Sequence, residues 1–249
     1  FPHNIGLGAT GDSDLVMRIG RATAVECRGA GINLNFAPQI SVARDERWGR
    51  TYESYGETPE INAEMGAAYI HGLQGMGDLS DSASLASTAK HYVGDGGTTG
   101  GVNLGTAVFS VNTLRAIHLP PFEAAVEEKV ASIMPSYHNW THDGQTYPMS
   151  FDTLSLTDIL ITELGFDGFR LSDYDAVARA NRVEDYTLDN VSTSISAGMD
   201  MAMIAMDAEG QYPQPDGVKG WMDNIVAGVN QGRIPASRVD DAVRRILRI

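Results

Sequence analysis

The sequence predicts an α/β fold of the (β/α)8, TIM-like barrel type. Three observations carry that expectation. Apolar strand-like runs alternate with amphipathic helix-like runs along the whole length, and repeated βα units favour a parallel sheet with helices outside it. Four of the strand-like runs lead into polar side chains, and strand C-termini are where a parallel barrel keeps the groups of its open mouth. The length of 249 residues, 43% of them hydrophobic, suits one large domain, and such a barrel needs about 250.

Each element has a local reason. Asp12-Ser13-Asp14 caps a helix with apolar positions Leu15, Ile19 and Ala22, closed by Gly29 and Gly31. Ile32 to Phe36 is a short strand. Thr58 caps a second helix, with Pro59 in its first turn and Ile61, Met65 and Ala68 on its buried face. Leu85 to Val93 is the next strand and ends in Lys90-His91-Tyr92. Residues 112–129 are helical with a break at Pro120-Pro121. Val130 to Tyr137 is a third strand, and Leu154 to Leu164 a helix ended by Gly165. Gly168 to Leu171 is the fourth strand and Met199 to Met203 the fifth; Glu209 to Gly220 reads as a surface loop. Ser237 caps a last helix with Val239, Val243 and Ile246 on one side. Eight strands would complete a barrel, so part of it is expected to lie outside this sequence, on the N-terminal side. A doubly wound sheet is the other arrangement of such units. No Gly-x-Gly-x-x-Gly follows a strand, and Gly94-Asp95-Gly96-Gly97 lacks the Gly-Lys-Ser/Thr ending of a P-loop. No cofactor or metal site is expected.

The net charge of −14 argues against nucleic acid or an anionic membrane as partner, since both call for basic patches. It fits a neutral ligand. Cys27 is alone, so no internal disulfide forms. No apolar run is long enough to span a membrane. No basic and then apolar leader is visible, and Phe1-Pro2-His3-Asn4 reads like a loop within a protein.

The strand ends hold the chemistry. Arg44-Asp45-Glu46-Arg47-Trp48-Gly49-Arg50 follows the first strand, Lys90-His91 ends the second, Tyr137-His138 the third, and Asp173 the fourth. Each has a plain structural reading. Asp173 could cap the next helix, Arg50 could bridge Glu53 or Glu57, Lys90 could be an ordinary strand-end charge, and His91 and Tyr137 could be satisfied core residues. Together on one rim they would need mutual pairing or a polar ligand, because unpaired buried charge is costly. A sugar is such a ligand. Arg, Lys and His donate to its hydroxyls, a carboxylate can attack its anomeric carbon, and Tyr174 offers a flat face for its ring.

These landmarks resemble the N-terminal barrel of the glycoside hydrolase family 3 β-glucosidases and exo-β-glucanases. The stretches that carry the resemblance are Phe1 to Thr10, Arg44 to Ser54, Ala89 to Thr98, Gly168 to Asp175 and Arg238 to Arg248. They occur in the family's order and cover nearly the whole chain. The resemblance implies that Asp173 is the nucleophile of a retaining mechanism, forming a glycosyl-enzyme that water releases. It implies that Arg50, Lys90 and His91 hold the terminal sugar, with Tyr137 beside the nucleophile and Tyr174 at the leaving-group side. The substrates it implies are β-linked glucosides or gluco-oligosaccharides, and the location periplasmic or extracellular. Three departures stand out. Tyr174 replaces the family's usual Trp, and Arg170 stands where the family has an aliphatic residue. The sugar-gripping Asp that precedes the family's Phe-Pro-His-Asn, and the acid/base Glu from its downstream α/β domain, are both expected outside residues 1–249. Asp175 is expected to cap the following helix.

The family's single-domain β-N-acetylhexosaminidases carry a His on the loop after the Lys-His strand. Gly94 to Gly101 has none, which disfavours that subtype. A barrel aldolase or decarboxylase with Lys90 as a Schiff-base lysine and a non-catalytic sugar-binding barrel are the rivals from other classes.

Overall fold

The computed structural model describes residues 1–180, 185–204 and 217–249. Among them the strands are β1 (Leu34–Asn35), β2 (Ala86–Tyr92), β3 (Thr106–Val108), β4 (Ser132–Pro135), β5 (Asn139–His142), β6 (Gln145–Pro148) and β7 (Phe169–Arg170). The main sheet runs β1-β2-β4-β7 with every pair parallel. The fifth expected strand is reduced to one parallel bridge, Leu171 to Met201. Among the described residues this arc of a TIM-barrel-like fold does not close.

Helices cover one face. Ile133 packs there with Leu156, Ile159 and Phe166, while Met134, Phe169 and Leu171 cluster on the other face. This is the alternation a strand imposes. The Ser13–Gly29 and Pro59–Leu73 helices cross closely. A Cβ on Gly20 would lie 2.5 Å from the Tyr69 carbonyl oxygen, and one on Gly72 would lie 2.0 Å from that of Met17. Only glycine lets these backbones meet.

Several local expectations change. Asp12 does cap the first helix, accepting from the Leu15 N–H at 2.8 Å. The buried stripe is Val16, Ile19, Gly20 and Ala24, however, and Ala22 faces solvent. Thr58 stands at the cap position of the second helix without a side-chain bond. Asn62 takes over, donating to the Gly56 and Thr58 carbonyls at 2.9 Å each and accepting from the Tyr55 N–H at 3.1 Å. The last helix, Ala236–Leu247, starts with Pro235 as its cap residue, so Ser237 lies inside it. Of its expected stripe, Val239 and Ile246 pack against buried clusters, while Val243 is exposed and Ala242 is the buried position. Gly165 has φ +69 and ends the Leu154–Glu163 helix as expected.

Two elements were unforeseen. A second sheet, β3-β5-β6, joins a hairpin whose tip is Asp143 and Gly144 at φ +50 and +77, the backbone a two-residue type I′ turn requires. Trp140 anchors it, buried, with its indole N–H donating to the Phe109 carbonyl at 3.0 Å. The Gly217–Asn230 helix covers the end of the expected surface loop, and the remainder of that loop, 209–216, lies outside the described residues.

Arg170 acquires a physical reason. It is buried on the helix side of β7, and Asp200 receives its backbone N–H (2.8 Å), Nε (2.8 Å) and Nη2 (2.9 Å). Arg238 from the last helix also donates to Asp200. Asp241 adds pairs with Arg238 at 2.9 Å and Arg245 at 3.0 Å. An aliphatic residue at 170 would leave Asp200 short of donors. The arginine and the aspartate explain each other.

Candidate active site

The loop after β1 and the C-terminal ends of β2, β4 and β7 meet at one rim. Asp173 follows β7. Its Oδ1 accepts from the Tyr174 N–H at 2.7 Å, and its Oδ2 lies 3.4 Å from His91 Nε2. The side chain is 14% exposed, so the carboxylate is sheltered but reachable. The next helix, Ala176–Arg179, begins behind Asp175, and Asp173 gives it no side-chain cap. The expectation that Asp175 caps it also fails. Asp175 occupies the cap position at φ +52 without a side-chain cap bond, and its buried carboxylate accepts from the Tyr186 hydroxyl at 2.8 Å.

Lys90 and His91 are neighbours in sequence, and a regular strand would aim them to opposite faces. The β2–β4 register is irregular between Lys90 and Tyr92, and such a bulge re-aims side chains. Ser41 completes it: its hydroxyl accepts from the His91 N–H and donates to the His91 carbonyl, both at 3.2 Å. Burial and the nearby Arg50 pull the Lys90 ammonium below its ordinary value, while Glu53 and Asp173 oppose them. Arg50 pairs with Glu53 through Nε at 2.7 Å and Nη2 at 2.8 Å. The expected bridge therefore forms, but within the rim. Burial works against the Arg50 charge, yet Glu53, Asp95 and Asp173 together hold it above its usual value. Burial would raise Glu53, and Arg50 outweighs it, so this carboxylate stays below its ordinary range.

Tyr137 donates its hydroxyl to the Tyr174 carbonyl. Burial and the charge of Asp173 push the phenol well up. Tyr174 is 41% exposed, with the Arg179 guanidinium 5.8 Å from its ring centre. His138, at the same strand end, is fully buried and pushed down to about 4 by that burial. Two clefts flank the rim. One of about 260 Å³ has Lys90, Glu53, Gln39 and the Phe1–Asn4 stretch on its wall; the other, about 220 Å³, has Tyr137 and Arg179. Arg50, His91 and Asp173 stand on neither wall. Electrostatics and distance thus bring Asp173, His91, Lys90 and Arg50 together, and Tyr137 joins the Tyr174 backbone next to Asp173.

Two residues of this cluster escaped the sequence reading. Glu53 entered only as a surface partner. Asp95 entered only as part of a glycine-rich turn, yet it is buried with Oδ2 3.3 Å from His91 Nδ1. An acid four residues beyond a strand-end histidine was the available signal.

A parallel βα arc with a carboxylate, a histidine and two cations at its strand C-termini defines a TIM-barrel-like protein built around a polar, strand-end site. The chain belongs to the family described as glycosyl hydrolase family 3 N terminal domain, matching over residues 1–249. It is 38% identical over 210 residues to a β-xylosidase of Formosa agariphila, covering 82% of this chain and 28% of that protein. It is 28% identical over 253 residues to a periplasmic β-glucosidase of Salmonella typhimurium, covering all of this chain and 30% of that one. Among solved structures, an exo-1,3/1,4-β-glucanase from a Pseudoalteromonas species matches with a TM-score of 0.85 at 39% identity, over 100% of this chain and 29% of that one. A β-glucosidase from Listeria innocua matches with a TM-score of 0.88 at 27% identity, over 100% and 32%. The chain therefore spans about three-tenths of the relatives it matches.

Proposed function

We propose that the whole protein is a retaining, exo-acting β-glucosidase or β-glucan glucohydrolase that releases terminal glucose through a covalent glycosyl-enzyme on Asp173. The observation that carries this reading is the Asp173 carboxylate at a strand C-terminus, 3.4 Å from His91 and within the fields of Arg50 and Lys90. One Asp173 oxygen attacks the anomeric carbon as the glycosidic bond breaks, and water later cleaves the ester with net retention. Arg50, Lys90 and His91 supply donors for the hydroxyls of the terminal sugar. Tyr137, through its bond to the Tyr174 backbone, steadies the turn that carries the nucleophile, and the exposed Tyr174 ring meets the leaving group.

Departure of the leaving group needs a protonated partner, and a general acid needs a raised pKa. Glu53 and the buried Asp95 are the other carboxylates placed in this cluster, and both are held ionised, Glu53 by Arg50 and Asp95 by His91, His138 and Arg50. We assign the proton donor to another part of the whole protein, a downstream α/β domain. The substrate class, β-linked glucosides and gluco-oligosaccharides, is supported by the glucanase named above and by a mutant of the Listeria enzyme crystallised with laminaribiose. The name of the Salmonella relative supports a periplasmic or extracellular location, and among the described residues no helix is long and apolar enough to cross a membrane.

The test is covalent. In the whole protein a 2-deoxy-2-fluoro glucoside should label Asp173, and Asp173→Asn should lower turnover by several orders of magnitude. A label on any other carboxylate overturns the assignment. Aryl xyloside belongs in the same assay, because a β-xylosidase is among the relatives; faster turnover of the xyloside would replace glucose as the released sugar.

A further inference from the structure

His91 lies between two carboxylates. Nδ1 is 3.3 Å from Asp95 Oδ2, and Nε2 is 3.4 Å from Asp173 Oδ2. Both His91 and Asp95 are almost fully buried. A carboxylate with no water around it persists only with donors. Asp95 has one from the Ser136 hydroxyl, which donates to Oδ1 at 2.9 Å, and its second oxygen faces the imidazole. Ser136 is in turn oriented by the His138 N–H, which donates to its hydroxyl oxygen at 3.3 Å. A ring nitrogen can face a carboxylate favourably only when it carries hydrogen. The placement of Asp95 therefore fixes the Nδ1 edge of the ring inward and leaves the Nε2 edge toward Asp173 and the open rim.

We propose that Asp95 is a positioning residue that acts on the reaction through His91. It orients the ring, and the ring in turn places Asp173 Oδ2. The Tyr174 N–H already occupies Oδ1, so the two partners between them set the plane of the nucleophilic carboxylate. The wider surroundings agree. Burial would raise Asp95, but His91, His138 and Arg50 outweigh it and keep the carboxylate ionised. Buried between the glycines of its turn, Asp95 has no route to a ligand of its own. A Cβ on Gly96 would lie 2.3 Å from the Val42 carbonyl oxygen, so this turn is wedged against the loop after β1. The carboxylate is held in place from both sides.

This inference rests on Asp173 being the nucleophile, and its test separates the two ideas. In the whole protein, Asp95→Asn keeps the shape and removes the charge. Losing the carboxylate charge that faces the His91 ring at 3.3 Å predicts a fall of about 10- to 100-fold in kcat/KM. Ser136→Ala, a milder change, predicts about 3- to 10-fold. Two readouts separate positioning from damage. The burst of dinitrophenol released on 2-deoxy-2-fluoroglucosylation should keep its full stoichiometry in both variants while its rate constant falls. In a His91→Ala background, Asp95→Asn should cause no further loss, because a residue that acts through another has nothing left to act on. Additive losses in that double-mutant cycle would overturn the proposal, as would a reduced burst amplitude at unchanged rate or a wild-type kcat/KM in both single variants. A label away from Asp173 would instead bring down the functional reading beneath it.

Discussion

Replacing Arg170 with Leu is the sharpest test of how the chain holds the strand that leads to Asp173. Asp200 has a fully buried side chain and accepts from four donors: the Arg170 N–H, Nε and Nη2, and one nitrogen of Arg238. Leucine removes two of the four and also the Nη1 bond to the Leu156 carbonyl at 3.2 Å. Breaking a buried pair by deleting one partner costs about 3–5 kcal/mol. Arg238 stays on Asp200, so the lower end applies, about 3 kcal/mol. For a domain of this size each kcal/mol moves Tm by roughly 2–4 °C, which predicts a drop of about 6–12 °C. Thermal and urea unfolding of wild type and variant would measure it. Activity at 25 °C should survive, because Arg170 reaches no group of the rim. A loss under about 1 kcal/mol would refute the reasoning: Arg238 alone would then satisfy Asp200.

Three further outcomes follow from the same structure. Lys90→Met should cut kcat/KM by about 100-fold or more while leaving Tm equal or higher. Burial already presses on the charged form of Lys90, so the unfolded chain binds more protons there, and wild-type stability gains as pH rises toward the ordinary lysine value of 10.5; Met should erase that gain, and a Tm falling in step with activity would disprove it. Burial holds His118 at about 3 against an ordinary 6.5, so stability should be lost as pH falls from 6.5 toward 3, with a slope near one proton, about 1.4 kcal/mol per pH unit. His118→Phe, on a ring that already stacks 4.7 Å from Phe109, should flatten that slope in urea midpoints taken from pH 4 to 6.5, and an unchanged slope would clear His118. Residues 1–249 alone should turn over cellobiose about 10²- to 10⁴-fold more slowly than the whole protein, the worth of a general acid, and should lose least on dinitrophenyl glucoside; equal cellobiose turnover would place the acid within these residues.

What the sequence made legible was local. Asp12 as a cap, Pro59 in a first turn and Gly165 at a helix end each act through a few neighbouring atoms, so a short window contains the cause. The rim residues were legible because they sit where strand-like runs stop. Arg170 was not, because its partner is thirty residues away at Asp200 and nothing between them announces the pairing. The hairpin was legible and overlooked: Asp143-Gly144 between His142 and Gln145 is the residue pair that a type I′ turn favours. The Gly217–Asn230 helix carried its signal too, since Trp221, Ile225 and Val229 recur at helical spacing and pack together. Ala22 and Ser237 misled because each was placed two positions off: the buried stripe runs through Gly20 and Ala24, and the last helix is capped at Pro235. Asp95 was hidden in a glycine-rich stretch where the flanking residues drew the eye to the backbone.

The irregular pairing at His91 has a consequence for which substitutions the chain can accept. A ladder that skips leaves one N–H and one C=O without strand partners, and in this interior both must be answered. Ser41 answers both with a single oxygen, as acceptor for one and donor for the other. Among small side chains only a hydroxyl has that double capacity. Alanine at 41 would strand two buried backbone groups, and a β-branched apolar residue would also crowd the gap. The freedom of the lysine-histidine pair to share one side of the strand is therefore borrowed from the loop after β1, fifty residues upstream. Any homologue that keeps both side chains on the rim must answer the same two backbone groups, with serine or with something that takes its place.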